Sequence, residues 1–212
     1  MVNEEFPGLA PVNFFRTSAS LYQVASKQEL DQKKHRLPNT SVLCGGEEHF
    51  AEVSAGWSQE GLYATVLINQ PYHRSFYPEV TRGDSIEFFV DTRDVKTSGY
   101  NTRFCHHFYF LPEAVEGHHA GEVTRFRTEE THQLCEPHLL KVSTKLRKDH
   151  YVMEIFIPSE SLYGYDPDQF DRLGFSYRIN RPDGPSQHFS AVSDEYKIQE
   201  QPSLWSSLRL MT

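Results

Sequence analysis

Cysteine is scarce in this sequence and awkwardly placed. The three cysteines, Cys44, Cys105 and Cys135, are odd in number and far apart. Such a set makes neither a disulfide framework nor a zinc ribbon. No helix start lies near any of them, so none has the setting that creates a reactive thiolate. No run of ~18 apolar residues exists, which excludes a membrane-spanning helix. Basic residues are not in excess: the net charge is −8 and the pI about 5.7. That balance argues against nucleic acid or an anionic membrane as the main partner. No G-x-S-x-G, H-E-x-x-H or phosphate-loop pattern occurs. Long 3.6-period segments and internal repeats are also missing. The stretch Met1 to Pro7 is acidic and lacks the apolar core of a secretory signal, so the cytoplasm is the expected location.

Aromatic residues are abundant instead, with 15 Phe and 11 Tyr in 212 residues. These types suit strands better than helices, and a chain of this length buries roughly 70% of its unfolded surface without staples. The clearest strand follows the turn residues Gly83 and Asp84. Ile86, Phe88 and Val90 share one face, while Ser85, Glu87, Phe89 and Asp91 share the other. Phe50 to Trp57 and Leu62 to Asn69 read as a hairpin across Ser58-Gln59-Glu60-Gly61. Leu21 to Ala25 reads as a short edge strand, and Lys27 to Arg36 as a solvated turn of helix or a loop. Further strands are predicted over Arg103 to Leu111, Val123 to Thr128, Leu139 to Leu146, Tyr151 to Ile157, Leu173 to Asn180 and Leu204 to Leu210. Glu113 to Gly121 reads as a polar turn region, and residues 1–20 as a surface-lying extension of one domain spanning 1–212. About ten short strands with frequent turn signals predict an all-β protein, a two-sheet antiparallel β-sandwich of jelly-roll type.

Five stretches then fall into a familiar order. They are Val53 to Tyr63 with its central Trp57, the Gly83-Asp84-Ser85-Ile86-Glu87-Phe88-Phe89-Val90-Asp91 strand, and Tyr151-Val152-Met153-Glu154-Ile155-Phe156-Ile157-Pro158. Asp171 to Asn180 and Pro202-Ser203-Leu204-Trp205 to Leu210 complete the series. This order resembles the family 9 carbohydrate-binding modules and their DOMON-like relatives, over roughly residues 50 to 210. The resemblance implies non-catalytic sugar binding in a groove on one sheet face, linked to polysaccharide breakdown. In such a site, aromatic rings meet the C–H face of a pyranose and polar side chains bond its hydroxyls. It also implies polar ligand contacts at Glu87, Arg178 and Asn180. Where the family places clamp tryptophans, this chain offers Tyr72, Phe76 and Tyr77 in the loop before the Glu87 strand. His107 and Tyr109 join the candidate ligand set by strand alternation, and Gln187 by its place in the last loop. Trp57 and Trp205 occupy structural positions of the motifs and are expected in the core. One geometric criterion separates this reading from that of a protein-interaction or structural sandwich with a vestigial groove. Either Tyr72, Phe76 or Tyr77 borders a groove containing Glu87 and Arg178, or those rings pack into the core.

Several side-chain groups suggest other chemistry. Cys105-His106-His107 and His118-His119 place neighbouring imidazoles on opposite faces of a strand, so no adjacent pair chelates one ion. His107 could still join His118 or His132 across strands. Asp166, Asp168 and Asp171 have acidic spacing compatible with calcium, although a turn at a strand entry explains them as well. Structural calcium is otherwise implied only by the resemblance, and no other cofactor is expected. Haem binding, known among DOMON-like relatives, would draw on Met153, but alternation sets that residue with Ile155 and Ile157 on the core side. A glycoside hydrolase activity would require Glu87 and Glu154 within ~10 Å across an open cleft.

Overall fold

Period-two alternation carries the architecture. The computed structural model describes residues 17–40, 48–190 and 197–212, and among these are eleven β-strands, short 3-10 turns and no α-helix. The strands are β1 (Ser18–Gln23), β2 (Ala51–Ser58), β3 (Gly61–Ile68), β4 (Ser85–Asp91), β5 (Cys105–Val115) and β6 (His118–Glu122). They continue with β7 (Lys141–Leu146), β8 (Tyr151–Pro158), β9 (Arg172–Asn180), β10 (Gln187–His188) and β11 (Ser206–Met211). Of the anticipated extension over residues 1–20, residues 1–16 lie outside the described residues, and the stretch from Ser18 belongs to β1.

Backbone pairing runs unbroken through one large, nearly barrel-shaped sheet in the order β6-β5-β4-β9-β11-β1-β2-β3-β8-β7, with β10 paired to β9. The sheet folds over, so that the inward residues of β2, β3 and β8 meet those of β4, β5 and β9 in one core. Val53, Val66 and Met153 come from one half, and Ile86, Phe88, Phe110, Phe175 and Ile179 from the other. Each such fully buried side chain contributes about 1.5–3 kcal/mol. Trp57 joins this core and donates its indole N–H to the Met211 carbonyl at 3.1 Å.

Two strand expectations need correction. β1 is not an edge strand, because it pairs in parallel with β11 on one side and β2 on the other. Its exposed residues look outward from a face of the sheet, and in sequence that is indistinguishable from a missing neighbour. The strand expected over Val123 to Thr128 lies earlier in the chain. β5 runs on to Val115 and turns at Glu116-Gly117, with φ of 52° and 84°, then returns as β6. Positive φ at both central residues is the signature of a type I′ hairpin turn. The segment Lys27 to Arg36 forms two 3-10 turns, Lys27–Asp31 and Lys33–His35, which bury Leu30 and His35.

The β2–β3 hairpin closes at Gly61, where φ is +143° and a Cβ would stand 2.1 Å from the Ile157 carbonyl oxygen. Gly61→Ala is expected to cost about 2–3 kcal/mol, from positive φ and the clash with β8. Urea unfolding of the two proteins measures it, and a difference within error would refute the close approach.

Candidate functional site

The outward face of β4 is the natural place for a site, because β4 lies between β5 and β9 and every one of its residues is buried. Register sets Glu87 beside Tyr109 and Arg178, and Phe89 beside His107 and Ser176. One end of this face is capped by the segment around Ile198, Leu204 and Trp205, which packs on Phe89 and Cys105. Trp205 stacks on Phe89 at 5.8 Å between centroids and donates its indole N–H to the Ile198 carbonyl at 2.7 Å. Beyond the cap the face opens into a groove of about 470 Å³, lined by Tyr77, Glu87, His107, Tyr109 and Arg178. That volume lies in the range of small-ligand pockets.

Glu87 organises the floor. Its side chain is 1% exposed, and four donors converge on it. Oε1 accepts from His107 Nε2 at 2.8 Å and from an Arg178 terminal nitrogen at 2.9 Å, while Oε2 accepts from Arg178 Nε at 2.6 Å and from Asn180 Nδ2 at 2.7 Å. The Arg178 contact is a two-point guanidinium–carboxylate fork, the strongest geometry for this pair. Burial alone would raise the Glu87 carboxyl, but the bonds from His107 and Arg178 outweigh it and bring the pKa down to about 2. The protein thereby occupies the acceptor capacity of Glu87. What remains open to a ligand is the 10% of the His107 side chain and the 17% of Arg178 that stay exposed. Arg178 also lies over the Phe89 ring at 5.9 Å. Tyr109 sits lower, 3% exposed, on Val80 and Leu111, and burial, with Tyr77 close by, pushes its hydroxyl pKa up. A side chain at position 121 would stand 2.8 Å from the Tyr109 ring, so Gly121 gives that ring its room.

The structure thus brings five of the sequence-derived candidates together, Tyr77, Glu87, His107, Tyr109 and Arg178. The other four lie elsewhere. Tyr72 packs against the core, edge-on to Tyr151. Phe76 is held between the guanidinium groups of Arg74 and Arg82, each 4.8 Å from its ring centre. Asp84 causes this split, because its carboxylate accepts from the His73 and Arg74 amides and so pins the loop. Asn180 is buried beneath Glu87, with Ser85 and Ser186 as its other partners. Gln187 is fully buried, accepting from the Phe50 and Ala51 amides and donating to the Ala51 carbonyl. The criterion is met by Tyr77 alone: it borders the groove, with His118 stacked on it at 3.8 Å. Sequence reasoning missed Glu79, Val123, Arg125, Gln199 and Glu200 on the groove walls. They come from irregular segments, where alternation carries no signal.

The remaining expectations resolve locally. Glu154 binds Lys27 and Lys145 and lines a separate cleft with Tyr63 and Phe156, so it does not face Glu87 across a common groove. Met153 is fully buried in the core with Val66 and Ile155. Asp166 accepts from the Gln169 amide in a turn and Asp168 accepts from Gln59, and these two with Asp171 do not bring three donor atoms within 4.8 Å of one another. His107 joins neither His118 nor His132; it is His106, on the opposite face of β5, that meets His132 at Glu122.

The family model described as carbohydrate family 9 binding domain-like matches residues 21–212. No curated protein matches the chain. A solved family 9 carbohydrate-binding module from Caldicellulosiruptor kristjanssonii, in complex with cellotriose, is similar with a TM-score of 0.66 at 14% identity, covering 92% of this chain and 94% of that one. A family 9 module from the same organism in complex with glucose gives 0.64 at 15% identity, covering 92% and 95%.

The Glu87 network makes stability depend on pH in a defined direction. A carboxylate whose folded pKa is depressed stabilises the fold above its unfolded pKa, and that stabilisation is lost as pH falls through the folded value. Between pH 4.5 and about 2, the Glu87 contribution falls away, by about 3 kcal/mol at most. Glu87→Gln is expected to flatten this part of the profile, measured as urea unfolding at pH 2.5 and pH 5. An unchanged slope in the variant would show that the network does not hold the charge.

Proposed function

The chain belongs to the carbohydrate family 9 binding domain-like family, and from that membership we propose that it binds carbohydrate non-catalytically in the groove above Glu87. The observation that carries the placement is the convergence of Tyr77, His107 and Arg178 around a groove of sugar-accommodating size. Tyr77, backed by His118, supplies an apolar wall for a pyranose C–H face. Arg178 and His107 present polar edges to hydroxyl groups, and Arg125 and Gln199 extend that polar surface along the rim. Glu87 acts as a positioning residue, holding Arg178 and His107 at fixed angles before the ligand arrives; such preorganisation lowers the cost of binding. The ligands of the solved modules, glucose and cellotriose, set the first class to test, a glucose-containing saccharide. The architecture supporting this role is read as a two-sheet jelly-roll sandwich, with β1 as the seam between its halves.

A glycan array followed by calorimetry with glucose and cello-oligosaccharides tests the assignment. Tyr77→Ala and Arg125→Ala are expected to weaken binding about tenfold or more, the worth of a stacked ring or a charged hydrogen bond. Phe156→Ala, in the cleft on the other half of the sheet, should leave affinity unchanged. Loss of binding in Phe156→Ala with retention in Tyr77→Ala would move the site to the other cleft. No binding to any saccharide would end the carbohydrate reading.

A further inference from the structure

On the inner face of β5, out of the groove, a second polar cluster is buried. Side-chain exposure is 0% for His106, 0% for Glu122 and 2% for His132. One oxygen, Oε1 of Glu122, receives His132 Nε2 at 2.7 Å, His106 Nδ1 at 2.9 Å and the Thr124 hydroxyl at 2.7 Å.

His132 Nδ1 lies 2.7 Å from the Arg103 carbonyl oxygen. A carbonyl oxygen only accepts, so Nδ1 carries the hydrogen, and in the neutral ring Nε2 then carries a lone pair. That lone pair points at a carboxylate oxygen, which also only accepts. Two lone pairs at hydrogen-bond distance in a dry site repel, and a positive centre must lie between them: a proton or a metal ion. A metal-bound histidine usually has its other ring nitrogen donating to a carbonyl or carboxylate, and His132 is held in this way.

We propose that His106 Nδ1, Glu122 Oε1 and His132 Nε2 form a site for a divalent transition-metal ion of the zinc class. Both imidazole nitrogens lie within 2.9 Å of Glu122 Oε1, and one ligand atom from each of the three residues lies within 4.8 Å of the others, the only such group of three or more His, Cys, Asp or Glu among the described residues. Two imidazoles and one carboxylate suit zinc and its neighbours, whereas calcium takes oxygen ligands. The surroundings are those of a ligand set held in advance. The second oxygen of Glu122 accepts from the Cys135 amide at 2.8 Å, and Tyr163 stacks on the His132 ring at 5.9 Å. The site also reaches the groove by a short path, since the Thr124 hydroxyl that donates to Glu122 accepts the His107 amide at 2.8 Å. An ion here would fasten β5, β6 and the loop carrying His132, and would steady the strand on which His107 sits.

The test uses the full chain without an affinity tag, stripped with a chelator and titrated with Zn²⁺ by calorimetry and with Co²⁺ by visible absorption. The expected results are one ion bound per chain, a Co²⁺ d–d band, and a Tm rise of about 5–10 °C with free Zn²⁺ at about a hundredfold its dissociation constant. His132→Ala and Glu122→Gln should each weaken uptake by about tenfold or more. His138→Ala, at an exposed histidine, should not. Absence of uptake by the wild type, or uptake undiminished in both His132→Ala and Glu122→Gln, overturns the site and leaves a proton between His132 and Glu122. If both variants fail to fold, the wild-type Co²⁺ spectrum decides alone, and a spectrum without the d–d band overturns the proposal.

Discussion

A carboxylate taken out of water must be met by donors on all sides, and the groove face is built around meeting that demand for Glu87. Left unpaired, such a charge costs several kcal/mol. Here two neighbouring strands answer it, with Arg178 and Asn180 from β9 and His107 from β5 on either side of Glu87 on β4. Once these bonds are made, the angle of Arg178, the tilt of the His107 ring and the mutual register of β4, β5 and β9 are no longer free. The groove is polar because the network underneath it is polar. It is rigid because each member of the network is held by another.

The abundant aromatics serve a different end. Phe88, Phe108, Phe110, Phe175, Tyr177 and Phe189 fill the interior between the two halves of the sheet. Phe89 is the exception on β4, since it points outward, and it holds down Trp205 and with it the segment that carries Gln199 and Glu200 to the groove. The cap, and the part of the groove wall made by Gln199 and Glu200, therefore rest on one outward phenylalanine. Gly121 makes a comparable contribution on the neighbouring strand, where a Cβ would crowd the Tyr109 ring beneath the groove.

The parts legible from sequence are those governed by alternation. The inward set of β4 and the outward placement of Glu87, His107, Tyr109 and Arg178 all follow from period two, and the structure has them so. What could not be read is whatever depends on pairing between distant segments. β1 reads as an edge because a strand's neighbours are not written in its own residues. Gln187 looked available for a ligand, but its amide is spent on the backbone of Phe50 and Ala51, more than a hundred residues away. The loop aromatics Tyr72, Phe76 and Tyr77 are alike in composition, and the Asp84 carboxylate, by gripping two amides in their midst, sends them in separate directions. The pairing of His106 with His132 was invisible for the same reason. Nothing in the local pattern around Phe126 to Cys135 says which strand it will cover.

β1 and β11 lie side by side in parallel, with Ser18 opposite Ser207 and Tyr22 opposite Met211. Tension applied to the chain before Ser18 and after Met211 would draw the two strands past each other along their length. Their ladder would then be loaded in shear, with all its hydrogen bonds sharing the force, and not peeled open one bond after another. The seam that joins the two halves of the sheet is thus also the mechanical clamp of the domain. A pull transmitted through the chain would load this ladder before it reached the groove on the far side of β9.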